Sequence, residues 1–325
     1  MSSQPPAPTV ERPPAPQLAE PKGRSAWWRT LLTGIVLYVV GLVLLVLSGN
    51  PNLFPTVVMI GSFMVPAAYV AFFYERRHLS RLTFSNTVFS FFWGGVLGVF
   101  AATILEPLFV SGSSSTGLTL GGAFEVGLIE EFVKVLGVLY IARSIRHDSE
   151  LDGMVIGAAA GMGFASLEST GYAFTAFLSS QGSISTIVGV TLLRGLLAPL
   201  GHGTWTAILA GVLFRQSKPR RFRVDRAVIV AYLTVVVLHG LWDGLPSVLG
   251  NYVSSGLDIL LAQVAVGFVG LLILYRRWRE AVRLQRETLA AEAAAAVAEA
   301  AAAAAPVLAD VSAEDRPVDH RDAVS

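Results

Sequence analysis

Long apolar runs separated by short polar breaks occupy most of the chain. A bilayer core about 30 Å thick needs about 20 mostly apolar residues in helix to cross it. Eight stretches reach that length: residues 29–48, 54–74, 86–110, 121–143, 153–178, 184–214, 227–248 and 256–275. The sixth is too long for one straight span and carries Pro199 between Gly195 and Gly201. Proline removes a backbone donor and crowds the preceding turn, so a kink or break is expected there. The pattern predicts an all-α fold, a polytopic transmembrane helical bundle of about eight spans.

The breaks between runs carry the orientation. Basic residues precede the first run (Lys22, Arg24, Arg29), follow the second (Arg76, Arg77, Arg81), the fourth (Arg143, Arg146) and the eighth (Arg276, Arg277, Arg279, Arg283), and crowd the loop after the sixth, from Arg215 to Arg226. The loops at 49–53, 111–120, 179–183 and 249–255 hold no Lys or Arg. Basic residues collect on the cytoplasmic side. The alternation therefore predicts a multi-pass cell-membrane protein with an even number of spans and both termini cytoplasmic. The first run exceeds the apolar core of a signal peptide and reads as a retained helix, with Trp27 and Trp28 as interfacial anchors. Residues 1–25 read as a disordered cytoplasmic tail, 26–278 as the transmembrane domain with a catalytic core near 120–248, 279–305 as an Ala-rich cytoplasmic helix and 306–325 as a disordered tail.

Composition agrees with this picture. Hydrophobic residues make up 53% of the 325-residue chain and charged residues 14%. A soluble domain carries about 25% charged residues, so this chain has too few to cover a globular surface, and the lipid bilayer is its expected surroundings. The net charge of +1 gives no footing for nucleic acid. The absence of cysteine excludes disulfides, thiolate metal sites and a cysteine nucleophile.

Against that background the ionisable residues inside the runs stand out. A charge at the centre of a span costs about 2.5–3.5 kcal/mol on insertion scales, and such residues usually face the protein interior and carry function. The fourth run holds Glu125, Glu130, Glu131 and Lys134, the fifth Glu168, the sixth Arg194 and His202, and the seventh His239 and Asp243. Glu130, Glu168, His202 and His239 fall at similar depth, so four helices bring polar groups to one level. Glu130 and Lys134 share a helix face at i,i+4, and Lys134 is expected to pair with one glutamate and leave the other available. Glu131 points about 100° away from Glu130, so the two carboxylates need not do the same job. Gly157, Gly161 and Glu168 fall on one face, where small residues let helices approach closely. His239 and Asp243, also i,i+4, are spaced to hold a metal together or to set the aspartate beside the imidazole.

Three runs of residues now resemble a known family. Glu130-Glu131-Phe132-Val133-Lys134 matches EExxK, Phe164-Ala165-Ser166-Leu167-Glu168 matches FxxxE, and His239-Gly240-Leu241-Trp242-Asp243 matches HxxxD. In this order, each within an expected span, they resemble the PrsW family of bacterial intramembrane proteases. That family is similar to the membrane group containing the CAAX prenyl endopeptidases and bacteriocin-immunity proteins. The resemblance covers about residues 120–248. It implies an intramembrane endopeptidase that cleaves a membrane protein or peptide substrate, as in cleavage of anti-sigma factors. CAAX-type relatives carry an arginine in the first motif and a histidine at the end of the second, where this chain has Lys134 and Glu168. Carried over, Glu130, Glu131, Glu168, His239 and Asp243 are the catalytic candidates, with Lys134, Phe164 and Arg194 supporting. His202, between Gly201 and Gly203, lies outside the motifs and joins on depth and chemistry.

Peptide hydrolysis needs an activated water, a stabilised oxyanion and a proton for the leaving amine. With no cysteine and no serine set beside a base, water is the economical nucleophile. Two versions fit. In one, His202, His239 and Asp243 or Glu168 bind a divalent metal such as zinc, and Glu130 or Glu131 is the base. In the other, the glutamates act without metal. Two non-proteolytic readings stand beside them. Intramembrane carboxylates and histidines also build proton or ion pathways in transporters, although the two halves show no internal repeat. A non-catalytic interaction protein would be expected to have lost at least one polar motif residue, and this chain keeps them all.

Overall fold

The computed structural model describes residues 26–314, apart from 78, 112, 115, 116, 251 and 253–255. The tails expected at 1–25 and 315–325 lie outside the described residues. In chain order the elements are α1 (Ala26–Ser48), α2 (Leu53–Glu75), α3 (Phe84–Phe89), α4 (Gly95–Phe109), β1 (Ser113–Ser114), β2 (Gly117–Leu118), α5 (Leu120–Ala142), α6 (Glu150–Ser179), α7 (Ile184–Leu197), α8 (His202–Gln216), α9 (Arg226–Leu249) and α10 (Gly256–Glu314). The architecture is helical, and the two strands form only a two-residue antiparallel ladder between α4 and α5.

Helix lies over each of the eight apolar stretches. The third stretch is α3 and α4 joined through a π-helical turn at Ser90–Gly94, and the sixth is α7 and α8 joined through a 3-10 turn at Ala198–Leu200. Six of these rods are long and apolar enough to cross a membrane. The two that fall short are α5 and α6. The first carries Glu125, Glu130, Glu131 and Lys134, and the second is diluted by glycines, serines and Glu168. Their polarity is the chemistry of the site, and the other helices enclose it.

Helix α6 is the central rod. Every residue from Glu150 to Ser166 is buried. Its side chains are small, and neighbouring backbones close on it from two sides. A Cβ added at Gly153, Gly157 or Gly161 would run into the carbonyls of Ala210, Thr206 and His202, one per turn along α8. A Cβ at Gly163 would meet the Phe91 carbonyl in the π-helical turn. Small residues at four-residue spacing allow this approach, as the sequence pattern implied. Side-chain caps fix where the site helices begin. Ser149 Oγ accepts from Asp152 N at 3.3 Å at the start of α6. Thr119 Oγ1 accepts from Gly122 N at 3.1 Å at the start of α5, and Asp225 Oδ1 accepts from Ala227 N at 3.0 Å at the start of α9.

The break at Pro199 has a structural consequence. α7 stops at Leu197, and α8 restarts at His202 after Gly201 (φ −108°, ψ −125°). His202 therefore stands at the first turn of a new helix inside the bundle. Thr204 Oγ1 pins the break by donating to the Pro199 carbonyl at 2.7 Å.

The basic loops gather at one end of the bundle. Arg81 pairs with Glu292 of α10 at 2.7 Å. Buried Glu150 pairs with Arg215 of α8 at 3.2 Å and with Arg277 of α10 at 2.5 Å. The first amide of α1 donates to Glu75 at the end of α2. The eighth run and the Ala-rich stretch form one continuous helix, and it continues to Glu314, past the boundary set at residue 305. Alanine is the best helix former, and the Ala-rich run carries the helix on from the eighth apolar run.

Candidate active site

Four helices each deliver a polar side chain to one point. From α5, Lys134 is fully buried and donates to Glu130 Oε2 and Glu131 Oε1, both at 2.9 Å. This corrects the expectation that lysine would leave one glutamate available, because i,i+3 and i,i+4 neighbours both lie under a four-carbon stem. Lys134 also donates to His202 Nδ1 at 2.7 Å, and its ammonium lies 4.1 Å from the centroid of the Phe164 ring. From α6, Glu168 Oε2 lies 2.9 Å from His202 Nε2 and 2.7 Å from an Arg194 guanidinium nitrogen of α7. Arg194 Nε also donates to Ser169 Oγ at 3.0 Å. From α9, His239 Nδ1 donates to Glu131 Oε1 at 3.0 Å, while its Nε2 faces Asp243 Oδ2 at 3.2 Å and Glu130 Oε2 at 3.6 Å.

The nine residues named as catalytic, supporting or metal-binding candidates thus belong to one network. Glu125, the remaining acid of α5, does not. It accepts from Ser111 N and Oγ at 2.7 and 2.8 Å and ties down the loop after α4. Glu130 and Glu131 also part company. Glu130 faces a cavity of about 660 Å³ together with Glu168, Phe164, Tyr172 and Asp243. Glu131, with no exposed side-chain surface, faces Lys134, His239 and Thr206, whose hydroxyl lies 3.4 Å from Glu131 Oε2.

Two residues of the site escaped the sequence reading. Glu106 of α4 lines the same cavity as Glu130. It is the one charged residue in the run 86–110, and that isolation was the available signal. Trp205, one turn into α8, is fully buried with ring centroids 5.4 Å from His202 and 4.8 Å from His239. A tryptophan in an apolar helix gives no such signal.

This constellation on α5, α6, α8 and α9 is what the comparisons with known proteins cover. A family model described as PrsW family intramembrane metalloprotease matches residues 83–275. The chain belongs to the PrsW family. Protease PrsW from Halalkalibacterium halodurans is 26% identical over 179 residues, which is 55% of this chain and 78% of that protein. No solved structure matches. The matched region runs from the start of α3 into α10 and contains every member of the network. As a PrsW family member the chain is a multi-pass intramembrane protease, and the family is described as metalloproteases.

The side chains fit a metal. Glu130, His202 and His239 each offer a donor atom, and the three atoms lie within 4.8 Å of one another. Asp243, grouped with the two histidines in the sequence reading, is not in this triad. It sits a turn beyond His239, with its Oδ2 3.2 Å from His239 Nε2 and its side chain 28% exposed. Two carboxylates stand behind the imidazoles. Glu131 holds the far nitrogen of His239, and Glu168 faces the far nitrogen of His202. Metal-binding histidines usually carry a partner of this kind on the other ring nitrogen, which fixes ring orientation and raises basicity. The Lys134 ammonium, bonded to both Glu130 and His202, marks the same space as one that stabilises positive charge.

Proposed function

We propose that this PrsW family member hydrolyses a peptide bond of a membrane-anchored protein, an anti-sigma factor being the type of substrate, at the Glu130–His202–His239 triad. The convergence of these three donors, each histidine backed by a carboxylate, carries the reading. A divalent metal held there would act as a Lewis acid toward water and the scissile carbonyl. The protein's own groups do the rest. Glu131 and Glu168 orient the imidazoles. Lys134 offsets the charge of Glu130 and Glu131 so that neighbouring acids can coexist out of water. Asp243 and Glu106 line the cavity beside Glu130, where carboxyl groups are placed to exchange protons with the attacking water and the leaving amine. Phe164 packs on the ammonium and keeps water from it.

We further propose that α5 and α6 cross the bilayer with the other six rods, giving eight spans and cytoplasmic termini. The collection of the basic loops at one end of the bundle supports this orientation. On that topology the cavity, bordered by Val110, Leu118 and Ser247, opens toward the side opposite the termini.

The test is cleavage of a single-span reporter by purified protein, with metal content measured in parallel. His202→Ala and His239→Ala are expected to lose both metal and cleavage, and Glu130→Gln to lose cleavage while staying folded and inserted. Undiminished cleavage by a well-folded Glu130→Gln variant overturns the assignment.

A further inference from the structure

A second cavity lies away from the proposed active site. It is a groove of about 530 Å³ between α1, α2 and α10, walled by apolar and aromatic side chains that include Trp27, Tyr69, Phe72 and Trp278, with Pro199 inside and Arg76 at one end. Along α2 it runs from Val65 to Arg76. Those twelve residues, eleven helical steps, span about 16 Å, roughly half of the 30 Å hydrocarbon core. The groove therefore matches the depth of one leaflet. Its Arg76 end is the basic end of the bundle, where Arg77, Arg276 and Arg279 flank it in sequence. At that end Glu75 accepts from the first amides of α1, and Arg76 lies over the Phe72 ring and donates from Nη1 to the Phe72 carbonyl at 3.2 Å. Trp27 and Trp278 sit at the same end, at the level where interfacial aromatics gather.

We propose that this groove binds one acyl chain of an anionic phospholipid from the leaflet at the basic end, with its phosphate at Arg76. Apolar walls of one-leaflet length select a lipid chain, and the arginine end selects a negative headgroup. The site is tied to the break before His202. Pro199 forms part of the groove wall and accepts from Thr204 Oγ1 at 2.7 Å, and the Thr204 hydroxyl is 3.0 Å from the Tyr69 hydroxyl on the opposite wall. A seated chain would press on both walls and hold the 198–204 segment, and with it the His202 end of α8.

Full-length protein in nanodiscs tests this without reference to proteolysis. The discs contain phosphatidylglycerol or phosphatidylcholine brominated in one acyl chain, and the readout is quenching of tryptophan fluorescence. Subtracting the signal of a Trp27→Phe, Trp278→Phe double variant isolates the groove. The groove signal should be quenched at least threefold more strongly by the anionic lipid. Arg76→Gln should erase that preference and Arg76→Lys should keep most of it. Hydrogen exchange at residues 198–204 should slow several-fold in the anionic discs. Equal quenching by both lipids, unaltered by Arg76→Gln, would mean ordinary solvation by bulk lipid and overturns the proposal. So does absence of quenching by either lipid, the result expected if a second copy or a foreign helix covers the groove.

Discussion

Glu131 Oε1 accepts a hydrogen bond from His239 Nδ1 at 3.0 Å across the α5–α9 interface, with both side chains buried. On the proposed reading this contact aims the other ring nitrogen at the triad. Glu131→Gln keeps the shape and weakens the acceptor. Loss of such a partner typically costs 10–100-fold in metal affinity or activity. A zinc titration of the variant should show a drop of about that size, with a matching loss of cleavage. Unchanged affinity would remove Glu131 from the site.

Lys134 is held by two carboxylates at 2.9 Å and has no exposed side-chain surface. Lys134→Met leaves two glutamates without their cation. Breaking a buried ion pair by removing one partner costs about 3–5 kcal/mol, so thermal unfolding in detergent should fall by many degrees. Lys134→Arg should rescue little, because the planar guanidinium must fit between the Phe164 ring and three fixed partners.

Gly161 faces the His202 carbonyl so closely that a single Cβ cannot enter. Gly161→Ala must push the first turn of α8 outward. The expected stability loss is about 1–3 kcal/mol, typical of overpacking. Cleavage should fall much further than folding, since His202 is the residue displaced. Melting temperature and activity measured on one preparation separate the two effects.

Glu106 reaches the cavity from α4, outside all three motifs. Glu106→Gln should retain full metal content, because Glu106 is not in the donor triad. Cleavage should drop about 100-fold if its carboxyl takes part in proton transfer. Full activity in the variant would reduce Glu106 to a wall residue.

At the basic end, burial pushes the Asp152 carboxyl up to about 6, against a hydrogen bond from Ser80 that draws it down. Its folded value lies above its unfolded one, so the native state holds the extra proton between about pH 4 and 6. Stability is therefore lost as pH rises through that window. Asp152→Asn should melt higher than the parent at pH 7.5, and the difference should vanish near pH 4. A pH-independent difference would count against burial as the cause.

The sequence by itself determined the helical rods, the break at Pro199 and most of the polar cluster, because each is local. Apolar runs of bilayer length, a proline between glycines, and charges stranded in apolar runs are all visible one helix at a time. Helix phase also separated Glu130 from Glu131. Tertiary structure decided the partnerships. Lys134 takes both glutamates, and Glu130 comes within reach of both histidines, because α5 lies against α9 with its Glu130 face toward the start of α8. Glu106 and Trp205 joined the site for the same reason. A side chain's neighbours across a helix interface depend on how closely the backbones pack, and here that is set by the glycines of α6, whose effect is felt only when another helix comes to rest on them.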